Sequence, residues 1–387
     1  MHRSSASPDV VVIGGGIIGA ACGYYLAREG LSVQLLERTS LASGTSGACE
    51  GNLLLWDKEM TKELPLGKRS LALWRDLTQE LDFDFEYDVK GGLMVADSEP
   101  SLAATRRKVE ELSAASVPCR MLEPAEIHDE EPALAGDLAG VAVFPEDTQV
   151  EPRRATFALV KGGRQRGLSL RLDTTVRRVI LDKGGKVEAV ETASEQIPTA
   201  AVVVAAGVWT REVAATAGLD VPVHPRKGQI VVTERTPMTV RHKLMEAGYT
   251  GTVESGAASL QVAMVAESTQ SGNLLLGSSR ELVGLDQSVS LNAVKGIVDR
   301  AVRFFPALAG VRCLRTYAGL RPFSPDHLPM IGPVAGAEGF YVATGHEGAG
   351  IGLAPGTGRL IAQWVTNQPL DFPADWFAPS RFASTGG

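Results

Sequence analysis

Four apolar residues, Val10-Val11-Val12-Ile13, run straight into Gly14-Gly15-Gly16-Ile17-Ile18-Gly19, and this junction restricts the possible folds more than any other part of the sequence. An uninterrupted apolar run of that length reads as a strand buried on both faces. Apolar and small residues then recur at helical spacing from Ile17 to Arg28, Gly30 supplies a stop, and Ser32 to Leu36 opens a second strand. The segment is therefore a βαβ unit with a Gly-x-Gly-x-x-Gly turn between strand and helix.

In a chain with 42 glycines the bare pattern is weak, and its setting decides it. Gly14 permits the tight turn, Gly16 lets backbone approach a pyrophosphate, and Gly19 lets the helix pack closely on the strand. The free amides at the helix start, with those of Ile17 and Ile18 foremost, favour phosphate. Glu37 closes the second strand 18 residues beyond Gly19, where an acid accepts from both hydroxyls of an adenosine ribose. An acid there disfavours a 2′-phosphate, which argues against NADP and leaves NAD and FAD open.

At 387 residues the chain exceeds the usual size of a single core, so two or three domains are expected. Acids outnumber bases 45 to 38, for a net charge of −7, and no basic block suggests a nucleic-acid surface. No run approaches the roughly 18 apolar residues that span a bilayer. The polar lead from Met1 to Asp9 lacks the regions of a signal peptide, so a cytoplasmic location is expected. Cys22, Cys49, Cys119 and Cys313 are far apart, without metal-ligand spacing, and read as buried reduced thiols; Cys49 alone stands beside a suspected cofactor loop.

Further along, Gly44 to Asn52 is a glycine- and hydroxyl-rich loop ahead of an amphipathic helix at Leu64 to Leu81. A strand is expected at Gly92 to Val95, helices near Leu102 to Ser113 and Arg153 to Gly167, and a fully apolar strand at Ala200 to Ala206 that joins the first sheet. The region from Val221 to Arg303 reads as alternating antiparallel strands, among them Gln229 to Thr233 and Asn273 to Leu276; a strand at Phe340 to Ala343 and a helix near Gly350 follow. The expected fold is α/β: a Rossmann-type domain from 1–86, 151–220 and 311–387, and a second, mainly antiparallel α+β domain from 87–150 and 221–310. The first eight residues and the Ser-Thr-Gly-Gly tail are expected to be disordered.

The βαβ unit together with Leu35-Leu36-Glu37-Arg38, Gly44-Thr45-Ser46, Ala205-Ala206-Gly207-Val208-Trp209, Arg226-Lys227-Gly228-Gln229, Gly319-Leu320-Arg321-Pro322 and Gly345-His346-Glu347-Gly348-Ala349-Gly350 resembles the FAD-dependent D-amino-acid oxidase (DAO) family, in family order over nearly the whole chain. The resemblance implies non-covalent FAD. It puts Glu37 and Arg38 at the ribose, Thr45 and Ser46 at the pyrophosphate, and the Val176 backbone at the adenine edge. Gly51, Asn52, Ala206, Gly207, Trp209 and Gly319 join the cofactor site, and Gly345, His346, Gly348, Ala349, Gly350 and Ile351 meet the flavin ring. A glycine-rich turn opening a helix there would aim amide dipoles at the ring edge where charge develops on reduction.

The same resemblance gives Arg321 the substrate carboxylate, a task suited to a planar guanidinium fork. It puts His346 near the flavin, where a histidine could influence substrate protonation, and Tyr249 in the pocket. It departs from the sarcosine oxidases: their flavin-bonding cysteine would fall near Gly319 and their oxygen-activating lysine near Leu275. Covalent attachment at that position is thereby excluded, and a dehydrogenase is mildly favoured over an oxidase.

The stretch from Gly345 to Gly358 is most similar to the β subunits of opine oxidases, hydroxyproline dehydrogenases and hydrogen cyanide synthases, which work with α and small iron–sulfur subunits; glycine oxidase is the rival likeness. The implied reaction moves a hydride from the carbon beside an uncharged amine to flavin N5, giving an imine that hydrolyses. The substrate is a small amine or amino acid such as an opine, a proline derivative, sarcosine or glycine. A stand-alone glycine or D-amino-acid oxidase using O2, or an FAD enzyme for a hydroxy acid, is the alternative; no metal is expected.

Overall fold

The computed structural model describes residues 7–236, 240–249, 251, 259–373 and 375–382. Apart from Ser7 and Pro8, the two termini expected to be disordered lie outside the described residues. Strand β1 (Val10–Ile13), helix α1 (Ile17–Arg28) and strand β2 (Val33–Leu36) form where the hydrophobic pattern puts them. All four residues of β1 are buried, so the strand has to be covered on both faces and sits inside a sheet.

That sheet has six strands in the order Met330–Pro333, Phe340–Thr344, Ala201–Val204, β1, β2, Leu168–Arg171. Val12 pairs with Leu35 on one side and with Val203 on the other, both in parallel register. The outer pair Met330–Pro333 and Phe340–Thr344 is antiparallel. Helix α1 lies against the last long helix, Gly350–Val365, and Gly358 makes the approach possible: a Cβ there would stand 2.6 Å from the Ala21 backbone. The result is a mixed α/β fold with a Rossmann-type unit at its centre.

A second sheet of eight strands follows the order Cys313–Phe323, His224–Thr233, Leu274–Arg280, Gln261–Ser268, Lys243–Glu246, Gly92–Ala96, Gly140–Phe144, Arg120–Met121. It is antiparallel except where Lys243–Glu246 runs beside Gly92–Ala96. Two corrections to the sequence reading arise here. Cys313–Phe323, grouped in sequence with the dinucleotide-binding segments, pairs from end to end with His224–Thr233, because both strands are long enough to run the full edge. Leu291–Phe304, within the stretch read as alternating strands, is a helix whose Ile297, Ala301 and Phe304 cover the large sheet. A three-stranded antiparallel sheet, Val176–Leu181, Val187–Thr192 and Gln196–Pro198, also went unread.

All four cysteines are free, but only Cys22 is fully buried; Cys313 is exposed on its edge strand, against the expectation of four buried thiols. Among the described residues no helix is long and apolar enough to cross a membrane, and no cluster of three acidic, histidine or cysteine side chains could hold a metal.

Candidate active site

One cavity of about 550 Å³, a volume typical of small-molecule sites, runs from the C-terminal ends of β1 and β2 to the face of the large sheet. Its first wall is the glycine turn. Gly14 has φ +113°, a conformation that side chains resist, and a Cβ on it would stand 2.5 Å from the Ala205 carbonyl oxygen. A Cβ on Gly19 would lie 1.9 Å from the Gly14 carbonyl oxygen, so Gly19 serves helix packing and does not itself line the cavity. Gly16 lacks any capping side chain for α1; the Ser46 hydroxyl takes that part, accepting from the Ile17 amide at 3.0 Å. It keeps its proton free to donate.

Glu37 is buried and held from two sides. The Gly15 amide donates to Oε2 at 2.7 Å, and the Thr39 amide donates to Oε1 at 2.9 Å. The Gly15 contact was not foreseen; it needs the turn and the strand end brought together, which spacing alone does not reveal. Oε2 retains a lone pair for a further donor. Arg38 lies flat on the Trp209 ring, 3.8 Å from its centroid, and Val176 completes this end of the cavity with Ala206 and Gly207.

The other end is built from the second sheet and the last helix. Gly348, Gly350 and Ile351 line it where helix Gly350–Val365 begins, so first-turn amides that lack intrahelical acceptors border the cavity. Gly345, with φ +78°, turns the chain behind the wall, and Ala349 is the helix N-cap; neither lines it. Gly51 is also set back, because a Cβ there would meet the Val150 carbonyl oxygen at 1.6 Å; its amide donates to Glu267. Asn52, Thr45 and Gly319 do line the cavity.

Arg321 projects into it with Nη1 donating to the Ser279 carbonyl at 2.9 Å. Burial, with the Arg280 guanidinium as a second cause, lowers its pKa from the usual arginine value, yet an arginine stays protonated. Room for the guanidinium comes from Gly228, where a Cβ would fall 1.9 Å from Arg321 Nη1. Behind it Arg226 pairs with Glu347 at 2.7 Å, both buried, and His327 Nδ1 lies 3.3 Å from the same carboxylate. Tyr249 is buried on the cavity wall beneath the Arg280 guanidinium, 4.5 Å from its ring centroid.

His346 is the next residue of this wall. Its Nε2 contacts the Thr357 hydroxyl at 2.9 Å, its Nδ1 has no partner, and burial alone pushes its pKa down to about 3. Burial thus favours the neutral ring, and the residue lines the cavity.

These residues fit FAD on the structure's own terms. A cradle that any Cβ would fill, an acid with a spare lone pair and two helix N-termini facing one cavity suit a dinucleotide. The buried Asn52 Oδ1 and His346 Nδ1, both without partners, remain available to the rest of a large ligand.

The family described as FAD dependent oxidoreductase (DAO) matches residues 9–364. The chain is 31% identical to hydrogen cyanide synthase subunit HcnC of Pseudomonas protegens, over 97% of this chain and 96% of that one. It is 30% identical to glycine oxidase of Geobacillus kaustophilus, over 96% and 97% respectively. The crystal structure of that glycine oxidase superposes with a TM-score of 0.87 at 27% identity, covering 97% of this chain and 98% of the other.

Proposed function

The chain belongs to the DAO family of FAD-dependent oxidoreductases, and from that membership we propose that it oxidises a small amino acid or amine whose carboxylate is gripped by Arg321. The observation that carries this is the position of Arg321, a half-buried cation facing the same cavity as the Gly14–Glu37 cradle. The name of one relative, glycine oxidase, supports the same substrate class.

In this proposal Glu37 and Arg38 hold the ribose end, Ser46 and the first amides of α1 hold the pyrophosphate, and the turn from Gly348 to Ile351 meets the ring. FAD bound there supplies the two-electron acceptor for a hydride from the carbon next to the amine. The protein's own part is positional. Arg321 fixes the substrate's carboxylate and so the direction of its Cα–H bond, the Arg226–Glu347 pair and Gly228 fix Arg321, and Tyr249 closes the wall. His346 stays neutral and orients rather than titrates. We also propose that the first sheet's segments bind the cofactor and the large sheet forms the substrate wall. The word subunit in the HcnC name supports a role beside partner subunits, and we propose that the chain is the β-type member of such an assembly, with α and small iron–sulfur partners.

The test is anaerobic reduction of the bound flavin, followed near 450 nm, by glycine, sarcosine, D-amino acids, prolines and opines, with air then admitted. Bleaching by an amine with slow reoxidation is the expected result and supports a dehydrogenase with partners. Rapid reoxidation would make it a self-sufficient oxidase. Bleaching by hydroxy acids alone would overturn the amine reading.

A further inference from the structure

A carboxylate and a guanidinium of opposite sign face the same cavity without meeting. Glu50 lines the cavity, is 8% exposed, and forms neither a hydrogen bond nor an ion pair with any described residue; its Oε1 is fully buried and without a partner. Leaving a buried charge so is costly unless something else supplies the donor. The neighbouring acid, Glu267, shows the ordinary solution: it is paired with Lys243 and accepts from the Gly51 amide. Cys49 and Tyr317 also lie near Glu50 without bonding to it, and Arg321 is near enough to feel its charge.

The position of the Glu50 carboxylate is fixed by one strand. Its Oε1 lies over Gly277, close enough that a Cβ there would stand 2.4 Å away. Two residues on, the Ser279 carbonyl accepts from Arg321 Nη1 at 2.9 Å. Both groups therefore sit against the same short segment, Gly277 to Ser279, and line the same cavity, an arrangement in which a small zwitterion can meet the two. We propose that Glu50 receives the substrate's ammonium group, and takes its proton before the hydride leaves, while Arg321 receives its carboxylate, so that the site selects α-amino acids and their N-substituted forms as zwitterions and rejects oxygen isosteres of the same shape. The inference rests on the amine-oxidase reading above and adds a residue and a selection rule to it.

The experiment measures apparent dissociation constants for pairs that differ only at the amine, from the concentration dependence of anaerobic flavin reduction for a ligand that bleaches the flavin and from competition with that reduction for one that does not. The pairs are sarcosine with methoxyacetate, proline with tetrahydrofuran-2-carboxylate, and glycine with glycolate, compared in the wild type, Glu50→Gln and Arg321→Ala holoenzymes. For the pair whose amine bleaches the flavin, Glu50→Gln is expected to weaken the amine about 10- to 100-fold and leave the isostere within about two-fold, so the preference disappears. Arg321→Ala should weaken both members together. Glu50→Asp keeps the charge and should keep part of the preference, which preserves the test if the glutamine variant loses flavin. Equal weakening of both ligands, or no weakening, in Glu50→Gln would overturn the assignment while leaving the amine reading intact. Reduction by glycolate but by no amine would bring down both.

Discussion

At Arg321 a single backbone contact and one missing side chain define a cation's position. The guanidinium donates to Ser279, lies over Gly228, and lines the cavity. Truncating one partner of a buried, hydrogen-bonded charge pair costs about 2–5 kcal/mol. Arg321→Ala is therefore expected to raise KM for a carboxylate-bearing substrate by roughly two orders of magnitude while FAD remains bound. Steady-state kinetics with flavin content measured in parallel checks this, and an unchanged KM would remove Arg321 from the role. Glu37 acts at the opposite end. Its carboxylate also ties the Gly15 turn to Thr39, so Glu37→Ala should both lower FAD retention through dialysis and loosen the turn. Full flavin content after dialysis would refute the ribose assignment.

Among elements, the βαβ unit was legible because its signals are local. Val10–Ile13 is apolar throughout, the glycines follow at once, and Ile17–Arg28 keeps helical spacing. The meander at 176–198 was not, since its strands are short and half exposed, so no sustained period survives. Helix Leu291–Phe304 did carry a signal that went unused: Ser290 caps it, and Ala293, Ile297, Ala301 and Phe304 recur at a spacing of three or four. The pairing of Cys313–Phe323 with His224–Thr233 brings together residues about ninety positions apart, and no local pattern encodes it. Yet that pairing sets Gly228 opposite Gly319 and Arg226 opposite Arg321, which explains why the Arg-Lys-Gly-Gln and Gly-Leu-Arg-Pro motifs belong together. Gly228→Ala tests the pairing: the new methyl would displace the guanidinium, so KM should rise nearly as in Arg321→Ala although the arginine is still present. A double variant no worse than either single one would show that both changes act through Arg321; independent, additive losses would show that Gly228 acts elsewhere.

Across the whole molecule, the cavity joins two sheets that have no strand in common, and two buried titratable groups, His346 on its wall and Glu63 away from it, make stability depend on pH in two opposed ways. Burial lowers the His346 pKa from 6.5 to about 3. Between those values the unfolded chain binds a proton that the native chain refuses, so this contribution is complete above about pH 6.5 and declines as the pH falls toward 3. Glu63, on the helix Glu63–Glu80, has its pKa raised from 4.5 to about 7, chiefly by burial. Here the native chain keeps a proton that the unfolded chain releases, so its contribution is complete below about pH 4.5 and is lost as the pH rises through 7. From pH 4.5 to 6.5 the two slopes oppose each other, and the holoenzyme's Tm should change little over that window on their account. His346→Asn removes the rising slope, so its Tm, measured from pH 4 to 8, should fall with increasing pH relative to the wild type. Glu63→Gln should do the reverse, its deficit against the wild type shrinking as the pH rises from 4.5 to 7. Each pKa unit corresponds to about 1.4 kcal/mol, so differences of a few degrees in Tm are within reach of calorimetry. Parallel Tm profiles for His346→Asn and the wild type would mean that the histidine titrates alike in both states and is solvated in the fold, and it would then regain a possible role in proton exchange with the substrate.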